Sequence, residues 1–461
     1  MDTIQYLAHG FSVALQPIHL FYCFIGVLIG TLVGVLPAIG PTAAVAILLP
    51  AAFSLDPVSA IIMLTGIGYG SSYGGSTTSI LVNVPGDAAS VVTCFDGYPM
   101  ALQGRAGPAL GIAAFGSYIA GTLGVVALML FAPTLAKLTL HFGPPEYFAL
   151  MVMSLCMVAY MARGSMIRAL MMVGAGLILS TVGLDEITAT SRFTYDILAL
   201  QQGLDIVAVV IGLFGLAEII QNLLTKQTGE LLKTKITSYL PTRQDWKDSL
   251  PPIIHGGGLG FVLGLLPGLS PMVATFVSYG IEKKLSRHPE RFGHGAIEGV
   301  AGPEAANNAV SCGSLVPLYS LGIPTGALSA MMLSALVIFG MSPGPQFIAN
   351  SPDLFWGLVA SLYVGNVLLL ILNLPLIPLW VRVLRVPFVP LNVSIIVFCA
   401  IGAFSVNHQV ADVYLAMIFG VAGFVFRKLN LEAAPLILGM ILGPMIEASL
   451  RQSLIISDGK L

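Results

Sequence analysis

The chain has 461 residues, of which 56% are hydrophobic and 9% charged, and its formal net charge is −2; the mean hydropathy is +0.91. Soluble domains carry about 25% charged residues, so this composition excludes a soluble globular protein, and the charge balance gives no footing to a nucleic-acid partner. It predicts an all-α integral membrane protein: at about 20 residues per span plus loops there is room for roughly ten to twelve membrane segments.

A transmembrane barrel would be written as alternating segments of about ten residues, which the long apolar runs do not resemble. The five cysteines, Cys23, Cys94, Cys156, Cys312 and Cys399, are scattered in apolar sequence without C-x-x-C spacing. They read as small buried hydrophobes, neither disulfide partners nor metal ligands. The N-terminus lacks the Lys/Arg n-region of a signal peptide, which leaves insertion to the spans themselves.

In chain order, residues 18–36 form an apolar run that ends in Gly34, Pro37, Gly40 and Pro41, followed by a second run to Phe53. Two prolines four apart with glycine around them do not continue a straight helix, so residues 18–53 are expected to form a re-entrant hairpin; one kinked span is the plainer alternative. Residues 58–73 begin another helix, which enters the polar, glycine-rich stretch Tyr69–Asp87. Helix is not expected to run smoothly through Gly74-Gly75 or Pro85-Gly86. Broken backbone at membrane depth survives only where it is buried in protein or lines a cavity, which marks this stretch as a site; a loop in water is the alternative. Apolar runs follow at 108–136, 147–162, 166–184 and 203–224.

The second half repeats the first. Gly264 to Pro271 matches Gly34 to Pro41 at an offset of 230, and Ser311–Ser314 with Ile323–Ala327 matches Ser72–Gly75 with Val84–Ala88 at an offset of 239. The extra residues fall in the charged loop Glu282 to Gly293, where an insertion costs little. The expected organisation is an N-terminal repeat, 1–224 (hairpin 18–53, broken helix 58–104, spans 108–224), and a cytoplasmic linker, 225–249. A C-terminal repeat, 250–461, follows (hairpin 250–281, broken helix 296–340, spans 354–450). Breaks at corresponding positions of two halves point to a secondary-transporter binding site.

Lys/Arg in short loops sets orientation. Lys226, Lys233, Lys235, Arg243 and Lys247, and Lys283, Lys284, Arg287 and Arg291, belong inside, with Arg163, Arg168, Arg382, Arg385, Arg427 and Lys428; Asp185, Glu186, Asp196 and Asp353 belong outside. The two repeats are then inverted. Trp246, Trp356 and Trp380, near span ends, read as interface anchors.

Glu298, Glu304, Asn307 and Asn308 crowd a segment that leads into the membrane, where ionisable groups face a bundle interior or cavity; for Glu298 a place at the wet interface is the alternative. Asp87 and Glu304 are the candidate ion-coupling acids, and the groups around Gly40, Gly268 and Ser270 are candidates for a cation such as Na⁺. No Lys or Arg lies between Gly34 and Gly104 or between Phe292 and Trp380. A bound anion therefore falls to backbone N–H groups, including Gly86, and to hydroxyls and amides. Ser76, Thr77, Thr78 and Asn83 supply these from one half, and Asn307, Asn308, Ser311, Ser314 and Thr325 from the other. Any one hydroxyl more often bonds the preceding helical turn; only the cluster is persuasive. His255-Gly256-Gly257-Gly258-Leu259-Gly260 has no strand before it and is not a nucleotide loop. No Walker motif is present, no second Asp completes a protease dyad with Asp87, and no catalytic residue or organic cofactor is expected.

With these residues on the page, the blocks GTLVGVLPAIGP and GFVLGLLPGLSP, YGGSTTSILVNVPGD, EGVAGPEAANNA and SLGIPTGALSA resemble the large membrane subunit of the tripartite tricarboxylate transporters, the TctA family. Ala38 stands where the second block has Gly268. The resemblance implies a multi-pass permease of the bacterial inner membrane that imports a small di- or tricarboxylate, driven by a Na⁺ or H⁺ gradient. Its implied partners are a periplasmic solute-binding protein, a small four-span membrane subunit and the lipid bilayer; an elevator-like movement follows by analogy. The alternative is a channel-like pore for small anions.

Overall fold

The computed structural model describes residues 3–36, 40–162, 165–185, 188–224, 239–383 and 388–459. The first half contains α1 (Thr3–Ala14), α2 (Pro17–Val35), α3 (Pro41–Ala52), α4 (Pro57–Val82), α5 (Val91–Leu102), α6 (Ala106–Thr139), α7 (Pro144–Met161) and α8 (Met166–Leu179). A two-stranded ribbon follows, β1 (Gly183–Leu184) antiparallel to β2 (Ser191–Arg192), then α9 (Ile206–Val210), a π-helical turn (Ile211–Leu216) and α10 (Ala217–Leu224). The second half contains α11 (Arg243–Gly264), α12 (Pro271–Leu285), α13 (Glu298–Leu321), α14 (Ala327–Ile338), α15 (Phe347–Asn350), α16 (Pro352–Asn373), α17 (Ile377–Val383), α18 (Phe388–Asn407), α19 (Val410–Lys428) and α20 (Ala433–Ile456). Six of these, α2, α6, α7, α16, α19 and α20, are long and apolar enough to cross a membrane, and five shorter apolar helices accompany them. The chain is an all-α membrane protein; the ribbon is the only strand pair among the described residues.

Prolines set several helix starts. Pro17, Pro41, Pro57 and Pro271 stand in the first turn, where the missing N–H costs nothing. Asp56 caps α4 by accepting from Ser59 N at 3.0 Å. α11 opens on a capping box: Asp245 N donates to Thr242 Oγ1 at 3.1 Å and Thr242 N to Asp245 Oδ2 at 2.9 Å. It therefore begins at Arg243, inside the stretch expected as linker. Pro37, Ala38, Arg163, Glu186, Lys226, Lys233, Lys235 and Arg385 lie outside the described residues, as does linker 225–238.

The centre is built from two helix pairs, α2 on α4 and α11 on α13. Gly26, Gly30 and Gly34 sit so close to α4 that a Cβ on each would run into the carbonyl oxygens of Met63, Ile67 and Ser71. Gly256, Gly260 and Gly264 stand in the same relation to Gly302, Ala306 and Val310. These contacts differ by 230 on the first helix and 239 on the second, the offsets of the sequence motifs. Small residues every four positions let backbones touch, the usual device where lipid supplies no hydrophobic drive between helices.

One expectation fails here. α4 runs unbroken through Gly74-Gly75 and ends only at Asn83. A glycine costs a helix about 1 kcal/mol relative to alanine, but the Cβ positions of Gly70 and Gly74 are filled by the α2 backbone at Val27 and Thr31. Close packing offsets the propensity cost. Every residue from Ser59 to Leu81 is buried, so α4 has no lipid face and reads as a helix surrounded on all sides. The tryptophan reading also needs correction. Trp356 and Trp380 are each 2% exposed, and Trp380 Nε1 donates to Leu372 O at 2.8 Å; both are core residues. Among the cysteines, Cys156 is exposed and Cys94 half-buried, while the other three are buried.

Candidate functional site

The chain breaks after α4 and after α13 are built alike. Asn83 (φ 56°) and Gly322 (φ 73°) end the two helices in the left-handed region. A serine then closes each turn. Ser90 Oγ accepts from Asp87 N at 3.1 Å and donates to Asp87 O at 3.0 Å; Ser329 Oγ accepts from Gly326 N at 2.9 Å and donates to Gly326 O at 3.0 Å. The first turn thus carries a carboxylate where the second carries hydrogen. Asp87 Oδ1 accepts from Ser90 N at 2.8 Å and lies against Gly75. Gly86 is wedged between the Gly34 carbonyl, the Gly75 Cα and the Thr78 hydroxyl, leaving no room for a side chain.

Glu304 joins the halves. It is 1% exposed on α13, and its carboxylate accepts from Ser76 Oγ of α4 at 2.6 Å and from Thr93 Oγ1 of α5. Four residues on, Asn308 Nδ2 donates to Ser117 Oγ of α6 at 2.6 Å and to Glu304 O at 3.1 Å. Asn307, 1% exposed, has neither amide atom partnered; leaving such groups dry costs about 1–3 kcal/mol each. Tyr69 OH reaches Cys312 Sγ at 2.6 Å, and Tyr73 OH donates weakly to Asn366 Oδ1 at 3.5 Å. A small cavity beside Ser76 is lined by Tyr73, Thr77, Ser117 and Asn373.

Of the residues singled out in the sequence, Ser76, Thr77, Gly86, Asp87, Glu304, Asn307 and Asn308 are packed into or next to this junction. Thr78 and Ser314 are spent on their own helices, donating to Gly75 O at 3.1 Å and Ser311 O at 2.8 Å. Ser311 is half-buried and Asn83 is exposed. Thr325 contributes its carbonyl, which accepts from Gly268 N at 2.8 Å. Gly268 (φ 85°) abuts the α7 backbone at Val158 and tolerates no Cβ. The Gly40 carbonyl accepts from Ala44 N, closing the first turn of α3, while Ser270 is the N-cap position of α12. Glu298 lies 3.8 Å from Arg291 in the charged loop.

The sequence reading missed Thr93, Ser117, Asn373 and above all Asp96. Asp96 is fully buried on α5; its Oδ1 accepts from the N–H groups of Gly293, Gly295 and Ala296 at 2.9, 2.8 and 2.8 Å, and its Oδ2 from Tyr279 OH at 2.9 Å. Four donors occupy it, so it is a clasp on the turn that leads into α13 and no partner for Asp87. An Asp inside the run VVTCFDGYPMAL was the available signal.

The model of the tripartite tricarboxylate transporter TctA family matches residues 20–438, nearly the whole chain. The chain belongs to that family. An uncharacterized 52.8 kDa protein in the TAR-I ttuC' 3' region of Agrobacterium vitis is 49% identical over 459 residues, covering 100% of this chain and 91% of the relative. An uncharacterized protein in the TAR-II ttuC' 3' region of the same organism is 49% identical over 200 residues, 43% of this chain and 83% of that relative. No solved structure matches. In this TctA-family chain the buried polar groups are carboxylates, amides and hydroxyls brought from α4, α5, α6, α13 and α16.

Proposed function

We propose that this chain is the permease subunit of a binding-protein-dependent secondary transporter. It imports a small di- or tricarboxylate across the bacterial inner membrane, coupled to a Na⁺ or H⁺ gradient, and performs no bond-making chemistry. The observation that carries the reading is the Glu304 carboxylate, buried and met by Ser76 and Thr93 of the other half. A buried carboxylate whose only such donors are hydroxyls takes up a proton or cation far more readily than an anion.

The two halves act as inverted units. In support, polar contacts gather around residues that the charge pattern assigned to each side: Arg168, Arg427 and the Arg243–Lys247 stretch inside, Asp185 and Asp353 outside. Arg105–Asp245 at 2.5 Å, Arg427–Glu218, Gln103–His294 and Arg168–Leu429 fall inside. His9–Asp353 at 2.6 Å, Arg451–Asp185 at 2.8 Å, Arg192–Glu447 at 2.9 Å and Asn407–Asp205 fall outside.

Movement is elevator-like. α2 to α6 and α11 to α16 form one body, and α7 to α10 with α18 to α20 form the other. They touch through α3 on α9, α18 and the π turn, α14 on α9 and α20, and Gly268 on α7. The partners are a periplasmic solute-binding protein and a small four-span membrane subunit.

The test is reconstitution with those partners under an imposed Na⁺ or pH gradient. Saturable, binding-protein-dependent accumulation supports the proposal; unsaturable downhill flux without the binding protein contradicts it and favours a pore.

A further inference from the structure

The small cavity beside Ser76 is walled by α4, α6 and α16, and its polar lining is Tyr73, Ser76, Thr77, Ser117 and Asn373. What matters is which ends of these groups are already used. Ser76 gives its hydroxyl proton to Glu304 Oε2 at 2.6 Å, so its oxygen offers the cavity only lone pairs. Asn373 Nδ2 donates to Leu369 O at 2.9 Å. That carbonyl can only accept, which fixes the amide orientation. Asn373 Oδ1 is left without a partner on a side chain that is 5% exposed. Ser117 Oγ accepts from Asn308 Nδ2 at 2.6 Å, which anchors it at the cavity wall.

We propose that this cavity is a Na⁺ site. Its hard oxygen acceptors suit an alkali or alkaline-earth ion, not a transition metal, which would favour imidazole or thiolate. No carboxylate lines it, and divalent ions bound by protein draw on carboxylates to offset their charge; a monovalent ion needs only the Glu304 carboxylate one hydroxyl away. Its size, room for a single water-sized body, excludes a tricarboxylate and admits a small ion stripped of its hydration shell. The site deepens the ion-coupled reading above and rests on it for its role in transport, whereas ion binding stands independently.

The experiment is thermal unfolding of the purified full chain in detergent at fixed ionic strength, with choline replaced stepwise by Na⁺ or K⁺. Na⁺ is expected to raise Tm saturably, with K⁺ at least tenfold weaker. Asn373→Leu and Ser117→Ala are each expected to weaken the Na⁺ midpoint at least tenfold while leaving Tm in choline within a few degrees. If Asn373→Leu does not fold, Ser117→Ala decides. A Tm that responds to Na⁺ no more than to choline, or folded variants that titrate like the wild type, overturns the site. Reconstituted uptake separates the two ideas. Na⁺ binding lost in both variants, with no Na⁺-driven uptake in the wild type, upholds the site and removes its coupling role. Na⁺-driven uptake unchanged in variants that have lost the Na⁺ response removes the site's coupling role and leaves the coupled reading standing.

Discussion

Asp96 shows how much one carboxylate can hold when its partners are main-chain amides. Three N–H groups of a glycine-bearing turn and one tyrosine hydroxyl converge on it, and Gly293 and Gly295 supply the left-handed backbone (φ 87° and 104°) that aims those groups inward. Bonds to a charged acceptor are worth about 1.5–3 kcal/mol each, and an orphaned donor costs about as much. Asp96→Asn turns an amide NH₂ toward donors and is expected to destabilise the chain by about 2–4 kcal/mol. Tyr279→Phe removes one bond to the carboxylate and should cost about 1.5–3 kcal/mol. Thermal unfolding in detergent checks both; equal melting of Asp96→Asn and wild type would refute the clasp. The acid in its apolar run was visible beforehand, but its partners were not, because the amides lie some 200 residues away and carry no side-chain signature.

At the scale of elements, the breaks were legible and their extent was not. Prolines and glycines at equal offsets located both interruptions, and it is the pairing that marks them, since proline alone does not end a helix here: α6 runs through Pro133 and α13 through Pro303 and Pro317. Gly74-Gly75 misled because its meaning depends on the neighbour: the same residues that weaken an isolated helix permit α2 to lie against α4. Two substitutions of opposite sign follow. Gly260→Val drives a side chain into the Ala306 carbonyl and is expected to abolish the folded protein, read by size-exclusion chromatography after solubilisation. Gly258→Ala meets nothing within 4 Å and should stabilise α11 by up to about 1 kcal/mol. A tolerated Gly260→Val would mean that the helices are not in backbone contact. α1 and the β1–β2 ribbon were not anticipated; the ribbon leaned on contacts invisible in sequence, Arg451 with Asp185 and Arg192 with Glu447.

Across the whole molecule, the sequence exposed the class of protein and the two polar segments, because uncharged runs and paired breaks are one-dimensional signals. It did not expose which polar groups meet, since Ser76, Thr93, Ser117 and Asn373 converge only through packing of four separate helices. The charge pattern predicts that a single cysteine at Arg287 labels only from the cytoplasmic face and one at Asp353 only from the periplasmic face, in a background where the native cysteines are replaced; labelling of both from one face would rule out the topology. The central claim is that Glu304, held by hydroxyls from the other half, carries the coupling step. The direct measurement is substrate accumulation by proteoliposomes containing the three-component transporter with wild-type or Glu304→Gln permease at equal amounts. The account predicts uphill, gradient-dependent uptake for the wild type and a loss of at least a hundredfold for Glu304→Gln; gradient-driven accumulation by Glu304→Gln at the wild-type level would contradict it.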